Sequence, residues 1–150
     1  MNSILVNLTR RYPKSLLALM LLLAVCAVME FSRNRAEAAQ KPARMKLGIV
    51  IYSGDAETVW NAFRFGNFAL NQGDQVKVFL LAKGVEAESL DNDNFKVTQM
   101  MKEFAKQGGQ ILACGTCLNF RHAEGSKLCP LSTMQDMYDI VKESDKVVTF

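Results

Sequence analysis

The chain has 150 residues and contains neither a Gly-x-Gly-x-x-Gly fingerprint nor a Walker pattern. Nucleotide binding of those kinds is excluded, because both place clustered glycines where backbone N–H groups must approach phosphate. Internal repeats and low-complexity tracts are absent as well, which leaves room for one domain and little more. Positive charge is scarce where nucleic acid would need it. The net charge is +3, yet residues 1–44 hold seven Lys/Arg against two Asp/Glu, and residues 45–150 hold eleven against thirteen. The few aromatics of the second part are not interleaved with a basic stripe, so no nucleic-acid partner is expected. Histidine is reduced to His122, and a lone histidine reads as a polar surface or capping group before a ligand or base. No even set of cysteines is present in the domain: Cys26 lies in the N-terminal apolar run, leaving Cys114, Cys117 and Cys129. Three cysteines do not make a disulfide framework and read instead as a reactive or metal-binding cluster.

A long apolar run is also lacking. Ser15 to Met29 is apolar for about 15 residues, short of the roughly 20 that span a bilayer. Arg10, Arg11 and Lys14 precede it, Glu30 ends it, and Ala36-Glu37-Ala38 supplies a small-residue site before Ala39. This is the pattern of a positive n-region and a hydrophobic h-region. Residues 1–39 are read as a signal peptide or membrane anchor, residues 40–45, with Pro42, as a linker, and residues 46–150 as the domain. The reading places the domain in the periplasm, or anchored in the inner membrane, touching membrane only through the N-terminal segment. Cys26 is a filler of the h-region, since Val25 before it spoils a lipobox.

What is present in the domain is alternation. Lys46 to Tyr52 is a continuous apolar strand of the kind buried on both faces. Ser53-Gly54-Asp55 is a turn before a helix from Ala56 to Asn71, with Val59, Trp60, Phe63, Phe65, Phe68, Ala69 and Leu70 as its apolar face and Gly73 as its stop. Gln75 to Ala82 is a second strand, followed by a polar loop or broken helix to Asn94. Val97 to Gln107 is a helix with Met100, Met101, Phe104 and Ala105 inward. Ile111, Leu112 and Ala113 form a third strand after Gly108-Gly109. A helix with Met137, Ile140 and Val141 at helical spacing leads to a closing strand, Lys146 to Phe150. Strands alternating with helices predict a single compact α/β domain, its mostly parallel sheet flanked by helices on both faces. The C-terminal strand ends then gather Ser53-Gly54-Asp55, Lys83-Gly84 and Cys114 to Cys117 on one edge, where open α/β sheets do their chemistry.

Cys114-Gly115-Thr116-Cys117 is the stretch around which the chain is organised. Thr116 is the expected N-cap of a helix that begins with Leu118-Asn-Phe-Arg. A thiol at that position meets unpaired backbone N–H groups and a helix dipole, which favour the thiolate. Three uses follow. Cys117, where the helix begins, carries or attacks sulfur, with Arg121 adding charge if it points back. Alternatively Cys114 and Cys117 cycle between dithiol and disulfide. Alternatively Cys114-x2-Cys117-x4-His122-x6-Cys129 binds zinc, with a last gap two residues too long for a knuckle. The bland alternatives are inert buried thiols, a structural Cys129 before Pro130, and a solvated Arg121 and Glu124. No cofactor pattern is seen.

The segments Met45-Lys-Leu-Gly-Ile-Val-Ile-Tyr, Gly73-Asp74-Gln-Val-Lys-Val-Phe-Leu, Ala113-Cys-Gly-Thr-Cys-Leu-Asn-Phe, Met137-Tyr-Asp-Ile-Val and Lys146-Val-Val-Thr-Phe resemble the DsrE/DsrF-like (DsrE/F/TusD) sulfur-relay family. They are also similar to the C-terminal domain of the YedF-type proteins. The resemblance covers residues 45–150. It implies a compact parallel α/β fold, small homo-oligomers, and sulfur carried as a cysteine persulfide between donor and acceptor proteins or small thiols. By the family's pattern Cys117 is the carrier and Arg121 stands near the basic residue, while Cys114 has no counterpart in the simplest relay members. The expectation is a sulfur-carrier or sulfurtransferase-like protein with Cys117 and Cys114 as its reacting residues.

Overall fold

The computed structural model describes residues 14–39 and 44–150. Helix α1 (Lys14–Ala39) belongs to a unit separate from Arg44–Phe150. Among the described residues no helix is long and apolar enough to cross a membrane, so the expected transmembrane helix finds no support. The n-region arginines Arg10 and Arg11 lie outside the described residues, as do positions 40–43 of the expected linker.

The second unit is a five-stranded sheet of strand order β4-β3-β2-β1-β5 with every pairing parallel. Its elements are β1 (Lys46–Ile51), α2 (Ala56–Asn71), β2 (Gln75–Leu80), a 3-10 helix (Ala82–Ser89), α3 (Val97–Lys106), β3 (Gln110–Cys114), α4 (Gly115–Asn119), β4 (Leu131–Ser132), α5 (Met134–Glu143) and β5 (Lys146–Thr149). The expected four strands are all present. The fifth, β4, is only two residues long, and its pairs Ala113–Leu131 and Cys114–Ser132 flank the cysteine turn.

Residues alternate between the two faces of the sheet, as the period of a strand requires. Leu47, Ile49 and Ile51 of β1, Val76, Val78 and Leu80 of β2, and Ile111 and Ala113 of β3 share one core with α2 and α3. Phe63 and Phe104 meet edge-on within it, with ring centroids 5.7 Å apart. Phe79 and Cys114 face the other way, under Ile140 and Met137 of α5. Helices thus cover both faces, as expected. Full burial of side chains such as Phe63, Phe104 and Ile49 contributes about 1.5–3 kcal/mol each.

Helix α2 starts where Asp55 accepts hydrogen bonds from the Thr58 N–H and hydroxyl, both at 2.8 Å. Those bonds, the backbone one foremost, hold the Asp55 carboxyl below the usual carboxylate range. The helix ends at Gly73, whose φ of +94° suits glycine alone. The expected inward face of α2 is too broad. Phe65 and Phe68 are exposed, because the buried stripe runs through Val59, Ala62, Phe63, Gly66 and Asn67 at helical spacing. Asn67 sits inside because its side chain donates to the Met100 carbonyl and accepts from the Gln107 amide. Ala105, also expected inward, is exposed, as is Val141 of α5.

Candidate functional site

Strand β3 ends at Cys114, and the chain turns at once into the short helix α4. The N-cap is Cys114 and not Thr116: its Sγ accepts the Cys117 N–H at 3.4 Å, and Thr116 is exposed one turn position on. A sulfur at this position stands in for the oxygen of a conventional cap. Cys114 shares a face with Leu112, so it is buried against Phe79 and Ile140. Burial is the first cause, and the neighbouring Cys117 thiol the next, of a Cys114 pKa above the ordinary thiol value. The acidified thiol expected at this turn is Cys117, not Cys114, whose acidity burial lowers. The N–H donors to Cys114 do not offset desolvation, and a five-residue helix sums few peptide dipoles.

Cys117 is half-buried and packs against the smaller core of Phe79, Cys114 and Ile140. Its Sγ accepts a hydrogen bond from the Ala82 N–H at 3.3 Å. Ala82 opens the 3-10 helix and has φ +49°, an uncommon conformation for any residue but glycine. The adjoining turn is fixed from below. Gly84 lies so close to β1 that a Cβ there would stand 2.2 Å from the Ile51 carbonyl oxygen. Lys83 in turn packs over Gly54, since a Cβ on Gly54 would approach the Lys83 Cβ to 2.9 Å. Of the three loops expected on one edge, that of Lys83 thus neighbours both the others, around Gly54 and Cys117. The sequence reading missed Ala82 itself, though Lys83-Gly84 marked its place.

Arg121 does point back, but to two partners. Its Nη1 donates to the Cys117 carbonyl at 3.1 Å, and its Nε pairs with the Glu86 carboxylate. It anchors the end of α4 to the 3-10 helix. A second anchor was not legible in the sequence: the Ser126 hydroxyl donates to Glu88 at 2.6 Å and accepts the Cys129 N–H at 2.9 Å. Cys129 is buried beside this pair. Burial first, then the Glu88 charge, pushes its thiol up from 9.0 to about 12, which makes it a neutral structural group. His122 is exposed in a turn with φ +52°. Among the described residues no three His, Cys, Asp or Glu side chains come together in a way that holds a metal. The spacing that suggested zinc is therefore not assembled in space. A cavity of about 90 Å³ lined by Lys46, Gln75, Lys77 and Glu143 opens at the N-terminal ends of β1 and β2, the end of the sheet away from the cysteines.

The fold is thus a small parallel α/β domain with a cysteine turn at the C-terminal end of β3, an interior strand of its sheet. The chain belongs to the DsrE/DsrF-like family, whose model matches residues 45–150. That family is one of sulfur relay, as the sequence resemblance implied. An uncharacterized protein of Methanocaldococcus jannaschii is 32% identical over 114 residues, 71% of this chain and all of that protein. Another uncharacterized protein, of Methanopyrus kandleri, is 32% identical over 100 residues, 63% of this chain and 83% of its own length.

Proposed function

We propose that the protein is a sulfur carrier of sulfurtransferase-like chemistry, holding sulfane sulfur as a persulfide on Cys117. The observation that supports this most is the placement of Cys117. Its sulfur is half-buried at the C-terminal edge of the sheet and already accepts a backbone N–H. A sulfur sealed in the interior would have no such role. The Cys117 thiolate attacks the outer sulfur of a donor persulfide R–S–SH. The donor's S–S bond breaks, RS⁻ leaves with the electron pair, and Cys117–S–SH remains. An acceptor thiolate then takes the outer sulfur and returns Cys117 to the thiolate. Cys114 resolves the persulfide when no acceptor arrives. Its thiolate attacks the inner sulfur, HS⁻ leaves, and a Cys114–Cys117 disulfide forms, which a dithiol reductant resets.

The test is mass spectrometry of the alkylated chain after exposure to a persulfide donor. The peptide carrying Cys117 gains the mass of one sulfur atom, and loses it on reduction. No gain at Cys117 sinks the proposal. A thiol–disulfide redox role is the second reading, favoured by the closeness of the two cysteines, whose link is the Cys117 N–H donated to Cys114 Sγ at 3.4 Å. It needs a reversible Cys114–Cys117 disulfide at a physiological potential, which a redox titration reads directly.

The donor and acceptor on this reading are proteins or small thiols. A small homo-oligomer is part of the proposal, supported by Met134, Tyr138 and Val141, which form an exposed apolar stripe at helical spacing on α5. Light scattering after size exclusion measures it. The N-terminal segment is proposed to export the domain to the periplasm or tether it to the inner membrane, which cell fractionation decides.

A further inference from the structure

We propose that the 3-10 helix is the second half of the sulfur site, with the Ala82 backbone N–H as the donor that holds the reacting sulfur of Cys117. This rests on the carrier reading but is tested without any sulfur donor. Two independent observations converge on it. The Ala82 N–H reaches Cys117 Sγ at 3.3 Å, across 35 positions of sequence. Ala82 also adopts φ +49° although alanine gains nothing locally from the left-handed region. Such a conformation persists only where the surroundings impose it, and these residues cluster at sites of function. The surroundings here are explicit. Leu81 donates to the Ile51 carbonyl at 2.8 Å, Gly84 donates to the Leu81 carbonyl at 2.8 Å, and Gly84 is pressed against β1. Between these fixed points the chain turns the Ala82 amide away from the sheet and onto the sulfur. Glu86–Arg121 and Glu88–Ser126 tie the rest of the 3-10 helix to the segment after α4. The donor and the sulfur therefore move as one body.

An N–H aimed at a sulfur favours its anionic form, whether thiolate or persulfide. The side chain of Ala82 is exposed and free to vary, so backbone geometry is what the position supplies. Valine resists the left-handed region, and glycine enters it without strain. In the full chain, Ala82→Val should slow alkylation of Cys117 by iodoacetamide at neutral pH by about fivefold. Ala82→Gly should keep the rate within about twofold of the natural chain. Equal rates in all three chains, or equal slowing in both variants, overturn the proposal. Amide hydrogen exchange supplies a measurement that needs no change at Ala82. In Cys117→Ala the Ala82 amide should exchange at least about tenfold faster while Leu81, bonded to Ile51, does not. Unchanged protection of Ala82 overturns the proposal as well. Failure of persulfide loading in the natural chain, with these results intact, would remove the carrier reading and leave the donor assignment standing.

Discussion

Replacing Cys114 separates its two roles, as a cap and as a resolving thiol. Its Sγ accepts the Cys117 N–H at 3.4 Å, and sulfur is a weak acceptor, so the cap lies at the weak end of the usual range, about 0.5 kcal/mol. Cys114→Ala removes that acceptor and one large buried atom packed against Phe79 and Ile140. The lost packing adds about 1 kcal/mol, for a total near 1.5 kcal/mol. Cys114→Ser restores a better acceptor in nearly the same volume and should cost less than half of that. Urea unfolding of the reduced protein at neutral pH measures both. On the carrier reading the same two variants lengthen the life of a Cys117 persulfide, because neither can form the internal disulfide. In the natural chain that life should shorten as pH rises, since the attacking thiolate fraction grows about tenfold per unit below the raised Cys114 pKa. In both variants this component of the pH dependence should vanish. A serine variant as unstable as the alanine variant refutes the cap argument. Persulfide decay that is identical in all three chains refutes the resolving role.

Cys129 should make the fold sensitive to alkali. Its folded pKa is raised from 9.0 to about 12, so the folded chain keeps a proton that the unfolded chain has lost. Stability is whole below pH 9 and falls through the window up to about 12, by about 1.4 kcal/mol per unit at most. Urea unfolding at pH 8 and pH 10 should show a drop that is smaller in Cys129→Ala by about 1 kcal/mol. Gly84→Ala would place a Cβ against the Ile51 carbonyl. It should cost about 1–3 kcal/mol in thermal or urea unfolding and slow Cys117 alkylation, because the 3-10 helix must lift. Arg121→Ala frees an ion pair and a carbonyl and should cost no more than about 1 kcal/mol. It should leave Cys117 alkylation within about twofold, and a larger loss would show that the guanidinium serves the sulfur directly.

Of the four strands legible in the sequence, β1, β2 and β3 are buried along most of their length, where an apolar run survives, while β5 lies at the sheet edge and is largely exposed. β4 is two residues long and has no period to detect, so only its pairing with Ala113 and Cys114 reveals it. The helices were legible in position but too generous in their faces, since an aromatic such as Phe68 looks inward to composition and outward to a 3.6-residue period. The site divides in the same way. The spacing of Cys114 and Cys117 on a Gly-Thr turn was plain. That Cys114 is the buried one was also available, because strand parity puts it on the face of Leu112. The Ala82 amide was out of reach, as its direction is set by a glycine lodged under a carbonyl of another strand.

The inequality of the two thiols bears on which chemistry the turn favours. A Cys-x-x-Cys pair built for rapid disulfide cycling gains from having an acidified attacking thiol close at hand. Here the partner thiol is buried and its pKa is raised, while the half-buried one is held by an amide from a neighbouring loop. On the carrier reading, that arrangement slows internal closure at neutral pH and leaves time for an external thiol to reach Cys117. The same burial that makes Cys114 a poor attacker makes it a serviceable cap for the helix that presents Cys117. On the carrier reading, cap and delayed resolver are then one adaptation, and the proposed relay residue gains a built-in release that acts only when delivery fails.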